Sequence, residues 1–370
     1  MRIGIDCRIY GAANGYMGSS MEQFVSYLVQ TEDEHEYVLF FHDRDVSDRV
    51  LKSPRFRIVK TAAKIGSLAE QTVLPYELYR EKLDTVLGFA PYIPLLYRKK
   101  TVAILPDLVS YFYPSKHMKG TWRRNWSNLV LRTCLRKASG TIVLSETLKR
   151  DVIEIFDIPE EKIRVIPPMI LEHKDVKQNL GEMQQFLVTE NISERYLLIA
   201  GELREHKNIP RFLQAYSELL REGTIDADIV LIGKEDPTYH EIRSTLIELG
   251  LQKKVHIYNV LDENKMAFFQ KHATLFVLPS LYEGSEQAIL APLFYGTPIL
   301  SSNLPSITAV LSKEEAIFFR PMSLLDIKDH LKQAWEGAIV SKQKKDMSSY
   351  ESVSVSKEIR RTLLSSEENI

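Results

Sequence analysis

Two short segments carry charge and glycine in an order suited to a phosphate-bearing ligand. The first, Gly201-Glu-Leu-Arg204-Glu-His-Lys207-Asn208-Ile-Pro210, follows the apolar run 196–200. A glycine ends the run, cations follow, and a helical pattern begins. Cations beside a helix N-terminus suit a diphosphate, because charge-assisted hydrogen bonds and the helix dipole both favour the anion. Lys207 is the first candidate and Arg204 the second; the alternative is a solvated basic turn. The second segment, Pro279-Ser280-Leu281-Tyr282-Glu283-Gly284-Ser285-Glu286-Gln287, follows the run 274–278. Gly284 and Ser285 would leave backbone N–H groups free at the start of a helical pattern over 288–295, which Gly296 and Pro298 close. Glu283 is placed to accept hydrogen bonds from sugar or ribose hydroxyls. The alternative is that Glu283 and Glu286 are first-turn acids favoured by the helix dipole.

Other features are less specific. Gly11-Ala-Ala-Asn14-Gly15-Tyr16-Met17-Gly18 follows the first apolar run but is no G-x-G-x-x-G fingerprint, and the plain reading is a flexible loop. A basic stretch from Lys116 to Lys137 (KHMKGTWRRNWSNLVLRTCLRK) interleaves Trp122 and Trp126 with arginines and lysines. It fits either a weak contact with an anionic membrane or an amphipathic helix covering a sheet. There is no Walker A loop, no His-Glu-x-x-His and no Gly-x-Ser-x-Gly elbow. Cys7 and Cys134 belong to no Cys-x-x-Cys, so no metal site is expected, and both are read as buried thiols of a reducing cytosol. His206 and His256 are read as surface residues.

Elements that could position these segments recur along the chain. Apolar, β-branched runs at 3–5, 37–41, 85–87, 101–105, 141–144 and 163–166 are followed, after a gap, by 196–200, 228–232, 255–258, 274–278 and 299–301. Amphipathic stretches separate most of them. Such runs are strands buried on both faces, and alternation with helices implies parallel sheets with right-handed crossovers. The polar segment after Pro167-Pro168 is read as a linker and loop. The predicted fold is α/β, with two doubly wound domains. The first covers 1–172, with a C-terminal helix at about 350–370 packing back on it; 173–193 is the linker; the second domain covers 194–349. Ligands of such sheets bind beyond the strand carboxyl ends, where both segments lie. The chain has 370 residues, 44% hydrophobic and 26% charged, with 48 Lys and Arg against 49 Asp and Glu. That balance argues against a nucleic-acid partner. The start MRIGIDCRIY has no secretory pattern and no run approaches 18 apolar residues, so a cytoplasmic protein is expected, peripheral at most to the inner membrane face.

Taken in order, RIGIDCRIYG, LPYELYREKLDTVLGFAPYIP, ILPDLVSYFYP, IVLSETLKRDVIEIFDIPEEKIRVIPP, GELREHKNIPRFLQAY and PSLYEGSEQAILAPLFYGTPILSSNLPSI resemble the glycosyltransferases of family four, also called glycosyl transferase group one. The resemblance covers nearly the whole chain. It implies the GT-B fold, two Rossmann-like domains facing an interdomain cleft, and sugar transfer from a nucleotide-sugar to a glycan, lipid-linked or protein acceptor. It also implies retention of configuration and no metal or other cofactor. By the same resemblance Lys207, and less directly Arg204, neutralise the donor diphosphate, and Gly284, Ser285, Glu286 and Gln287 offer it backbone N–H groups. Glu283 is the first acid of the Glu-x7-Glu motif and faces the donor sugar. Gly15 and Gly18 match the glycine-rich loop near the phosphate, and Asp107 lies on the acceptor side.

Departures from the family pattern fall at ligand positions. The second acid of Glu-x7-Glu is Ala291, the histidine before Asp-Leu is Pro106, and a further acid is Ala309. A turn glycine is Glu286, and the Asn-Gly after the VIP strand is Pro168-Met169. Two functions are therefore weighed: an active enzyme relying on Lys207 and Glu283, or a silent relative serving as a binding or regulatory subunit of a partner glycosyltransferase.

Overall fold

The computed structural model describes all residues except 12–14, 43–52, 115–119, 172–179, 260, 338–345 and 366–370. Asn14 and the start of the basic stretch, including Lys116, thus lie outside the described residues. By contacts the chain divides into two compact units. One comprises 1–108, 121–172 and 348–370; the other comprises 109–120 and 173–347.

The first unit holds seven parallel strands: β1 (Arg2–Asp6), β2 (Glu36–Phe41), β3 (Phe56–Lys60), β4 (Thr85–Phe89), β5 (Thr101–Leu105), β6 (Gly140–Val143) and β7 (Ile163–Val165), in the order β3-β2-β1-β4-β5-β6-β7. The second holds β8 (Tyr196–Ala200), β9 (Asp228–Ile232), β10 (Val255–Tyr258), β11 (Leu275–Leu278), β12 (Ile299–Ser302) and β13 (Ala316–Phe319), in the order β10-β9-β8-β11-β12-β13. Both orders reverse once, at β1/β4 and at β8/β11, which is where open parallel sheets bind ligands. Central strands such as Thr101–Leu105 and Asp228–Ile232 are buried at every position. That is why they appear in the sequence as continuous apolar runs. β3 and β13 were not among the expected strands; both lie at sheet edges, and β3 exposes Arg57 and Lys60.

Helices cover both faces of each sheet. Helix Ile209–Arg221 places Ile209, Phe212, Leu213, Tyr216 and Leu219 on one face, at the spacing of an amphipathic helix, and all five are buried against β8 and β9. Each such side chain contributes about 2 kcal/mol of burial. Cys7 and Cys134 are both buried free thiols. The linker expected over 173–193 is not all loop. Leu180–Thr189 is a helix, and its Met183 and Leu187 are buried with Ile192 and Phe269 in the second unit's core. Met183, Phe186 and Leu187 pack inward, but the glutamines between them and the exposed Val188 blur the pattern. The segment 109–120, inside the range expected for the first domain, clusters with the second unit.

Helix Ser352–Ser365 returns to the first unit. Val355, Ile359 and Leu363 join the core that contains Phe24 and Leu28. Arg360 pairs with Asp33 at 2.9 Å, and the same carboxylate accepts from Arg55, the Tyr37 hydroxyl and the His35 N–H. Burial raises the Asp33 pKa, but these donors outweigh it and hold it below the ordinary carboxylate value. A depressed folded pKa stabilises fully above the unfolded value, about 3.9, and the stabilisation is lost as pH falls through the folded value. Amide protection in helix 352–365, taken relative to the intrinsic exchange rate at each pH, is therefore expected to stay high at neutral pH and to fall only in acid. Asp33→Asn should speed exchange already at neutral pH; superimposable pH profiles for the two proteins would rule the clamp out.

Candidate functional site

Both charged segments sit where the second sheet reverses. Arg204 and Lys207 follow β8, and Glu283 follows its neighbour β11. After Ala200 the chain turns through Gly201 at φ +124°, a conformation favouring glycine, and a methyl group there would meet Lys207 Cε and Nζ at 3.2 Å. The turn is held from the side by the segment after β9. Gly201 N–H donates to Ile232 O at 2.9 Å and Leu203 N–H to Lys234 O at 2.9 Å. Gly233, at φ +156°, passes so close that a methyl on it would overlap the Gly201 carbonyl oxygen.

A short 3-10 turn, Glu205–Lys207, follows and ends at Asn208 in the left-handed region. The buried Asn208 amide donates to Pro279 O at 3.2 Å and Pro321 O at 2.8 Å, while Leu281 N–H donates to His206 O at 2.7 Å. These bonds tie the segment after β8 to the segments after β11 and β13. Residues 112 and 113 add ring contacts, Phe112 on Tyr282 at 4.9 Å and Tyr113 on His206 at 6.1 Å.

The two segments meet in one ion pair. Lys207 Nζ donates to Glu283 Oε1 at 2.6 Å, with side chains only 7% and 12% exposed. The Ser280 hydroxyl donates to the same oxygen at 2.6 Å, and Ser280 is fully buried. The Ser306 hydroxyl donates to the Glu283 carbonyl at 2.8 Å. A buried cation is thus held by one carboxylate oxygen that a neutral hydroxyl also steadies. The arrangement has two chemical uses: Nζ can meet an incoming anion, and the carboxylate, kept in place by Ser280, can accept hydroxyl hydrogens. Sequence reasoning missed Ser280, Ser306, Asn208 and Gly233. Ser280 and Gly233 each fall just past a strand end, a position that could have flagged them.

The remaining candidates are placed as follows. Arg204 lies 3.3 Å from Glu202 in its own segment and 3.7 Å from Asp236 in the segment after β9, so neither of its described ion pairs is with Glu283. Gly284 leads into Ser285, which caps a 3-10 turn, Glu286–Ile289, and its hydroxyl accepts from Gln287 N–H at 3.4 Å. The expected helix over 288–295 is therefore split, with α-geometry only at Leu290–Tyr295. The Gln287 N–H expected to be free has an internal partner. Glu286 is buried, so a carboxylate lies within the turn that the family resemblance assigns to phosphate. Ala291 lies in the helix that follows. His206 is buried, not a surface residue as expected. Its Nδ1 has no hydrogen-bond partner among the described residues, and burial, then the charges of Lys207 and Arg204, push its pKa down to about 2. It is therefore neutral beside two cations. His256 is mostly buried as well, 3.2 Å from Asp228. Gly15, Gly18 and Asp107 belong to the first unit: Gly15 opens helix Gly15–Gln30 after β1, Gly18 O accepts from Gly11 N–H at 3.0 Å, and Asp107 follows β5.

Comparison with known proteins fits this geometry. A family model described as glycosyl transferases group 1 matches residues 184–352, and one described as glycosyltransferase family 4 matches 17–170. The chain is 26% identical over 240 residues to the serotype-specific mannosyltransferase WbdA of Escherichia coli, a match covering 64% of this chain and 29% of that protein. It is 22% identical over 247 residues to the O-antigen chain mannosyltransferase RfbU of Salmonella typhimurium, covering 67% and 61%. It is 27% identical over 188 residues to the alpha-monoglucosyldiacylglycerol synthase of Streptococcus pneumoniae, covering 50% and 42%. The chain thus spans under a third of the length of WbdA and about half that of the other relatives. Among solved structures, Anabaena HepE in complex with UDP and glucose superimposes with a TM-score of 0.70 at 13% identity, over 99% of this chain and 100% of that one. A glycosyltransferase from Rickettsia africae gives 0.69 at 11% identity, over 100% and 99%. With one family model matching in each half and the same two-sheet fold from end to end, the chain belongs to the group 1, family 4 glycosyltransferases of GT-B fold.

Proposed function

We propose that this chain moves a hexose from a nucleotide-sugar to a saccharide, lipid-linked or protein acceptor in the cytoplasm, with retention and without a metal ion. The observation that carries the reading is the buried Lys207–Glu283 pair at the β8/β11 reversal. An arriving diphosphate replaces Glu283 as the partner of Lys207. Glu283, still held by Ser280, is then released to accept hydrogen bonds from sugar hydroxyls. When the bond from the sugar's anomeric carbon to phosphate oxygen breaks, its electron pair goes to the diphosphate. Lys207 meets that charge in a site where water is largely excluded, and there such contacts are strongest. Two of the relatives named above are mannosyltransferases, and HepE was solved with UDP and glucose, which supports a hexose donor on a nucleoside diphosphate.

A second reading rests on Pro106, Ala291 and the buried Glu286: a silent subunit that assists a partner glycosyltransferase. Calorimetric titration with UDP, GDP and their hexose conjugates, followed by an assay for slow donor hydrolysis, separates the two. The enzyme reading expects saturable binding to one nucleotide and hydrolysis that disappears in Lys207→Ala. No heat at about 1 mM nucleotide, an affinity floor near −4 kcal/mol, would favour the subunit.

A further inference from the structure

The first unit carries a cavity that no step of the catalytic proposal uses. It lies at the carboxyl ends of β4 to β7, where helix Gly15–Gln30 meets the returning helix Ser352–Ser365. About 440 Å³ there is free of protein atoms, part of it open to solvent. Phe89 and Ile104 reach it from the strand ends, Met17 and Phe24 from the first helix, and Val355 and Ile359 from the last. Pro168 and Met169, after β7, complete the lining. These two stand where the family pattern has Asn-Gly, so an apolar pair replaces a polar one at the cavity. The Tyr16 hydroxyl donates to Met169 O at 2.7 Å, tying the start of the first helix to that segment.

Two observations define the occupant. First, among the described residues that line the cavity none is charged. Such a space suits water poorly, because water needs several polar partners, and an empty space forfeits dispersion contacts. An aliphatic chain supplies those contacts and leaves water in doing so. Second, Ser20 lies in the lining, only 7% exposed, and its hydroxyl has no hydrogen-bond partner among the described residues. A buried hydroxyl without a partner is costly. An ester, ether or hydroxyl oxygen at the head of an aliphatic chain would meet it. A carboxylate or phosphate there would be desolvated with no cation beside it, which is costlier still.

We infer that this cavity holds the aliphatic chain of an uncharged amphiphile, with the oxygen at the head of the chain on Ser20. Resting on the catalytic proposal, that amphiphile is the acceptor: a saccharide carried on a neutral lipid, not a free saccharide or a protein.

The test titrates the full chain by calorimetry with hexyl, octyl and decyl glucoside, each below its micelle concentration and without nucleotide. Binding is expected to tighten about fourfold per added methylene and to level off once the cavity is full. Octanoate should bind at least about tenfold more weakly than octyl glucoside, since its carboxylate finds no cation in the lining. Bound octyl glucoside should raise amide protection in helices 15–30 and 352–365 and leave helix 209–221 of the second unit unchanged. Ser20→Ala removes an unpaired buried hydroxyl, so it should raise the thermal midpoint of the free chain while weakening octyl glucoside about fivefold through the lost hydrogen bond. Val355→Phe puts a ring into the cavity and should weaken octyl glucoside more than about tenfold. Val355→Leu, a smaller addition that remains useful if the ring overpacks, should weaken it about fourfold. Unchanged affinity in both Val355 variants, no levelling with chain length, or protection spread evenly over both units would overturn the inference. Octanoate binding as tightly as octyl glucoside would assign the cavity to a free fatty acid and overturn the acceptor assignment. A Ser20→Ala chain unchanged in both midpoint and affinity would overturn the role of the hydroxyl. The two proposals fail separately, because the titrations contain no donor and the hydrolysis assay contains no alkyl glucoside. Intact donor hydrolysis without alkyl binding would sink this inference alone; alkyl binding without hydrolysis would support the cavity and count against the catalytic reading.

Discussion

Lys207→Ala is expected to lower kcat/KM for sugar transfer on the order of 10³-fold. It removes a cation from a largely dry site where charge develops, and deletion of single preorganised donors costs about 10²–10³. The same change strands Glu283, leaving it with Ser280 as its hydroxyl donor but no cation. Breaking a buried pair from one side costs about 3–5 kcal/mol, so the thermal midpoint should fall by roughly 10 °C. These two losses are separable. In Lys207→Met/Glu283→Gln no charge is stranded, so most of the midpoint should return while turnover does not. If turnover recovered along with stability, Lys207 would be a structural residue and the catalytic proposal would fail. Nucleotide binding measured on the double variant at a temperature where it is folded completes the cycle.

Gly233→Ala is expected to be the most damaging single methyl group in the second unit. The new carbon would sit on the Gly201 carbonyl, and at φ +156° the backbone itself disfavours a side chain. The overlap is with main chain, so no rotamer change relieves it. The loss should exceed about 4 kcal/mol, the range reserved for forced backbone displacement and severe overpacking. Gly201 is also the surface along which Lys207 lies. Any protein that does fold should therefore bind nucleoside diphosphate more weakly as well. A chemical denaturation midpoint unchanged from the parent chain would show that the β8 and β9 segments do not pack as described.

The pieces legible in the sequence and the pieces hidden from it differ in a physical way. Strands buried on both faces, such as Asp228–Ile232, must be apolar throughout, and so they stand out. Edge strand Phe56–Lys60 has one neighbour and carries Arg57 and Lys60, so its pattern is diluted. Helix Leu180–Thr189 packs Met183, Phe186 and Leu187 inward but exposes Val188 and carries two glutamines between them, so its apolar face is blurred. Lys207 and Glu283 were found because strand ends are where ligands meet open sheets, and both follow neighbouring strands. That they touch was not legible, since they lie 76 residues apart. Ser280 carries only its place past a strand end as a local mark, and Ser306, which bonds the Glu283 carbonyl from 23 residues away, carries none. His206 misled for a related reason: its neighbours in sequence are charged, yet a backbone bond from Leu281 and the ring of Tyr113 help to bury it.

One consequence concerns the order in which a ribosome delivers the parts. The core around Phe24 and Leu28 is closed by helix Ser352–Ser365, which is synthesised only after the whole second unit has emerged. Domains usually mature from the N-terminus during synthesis. Here the second unit has all its strands available while the first still exposes the seat of its last helix. The nascent first unit must wait with an open apolar flank, and that flank is where a chaperone or a misplaced neighbour would find it.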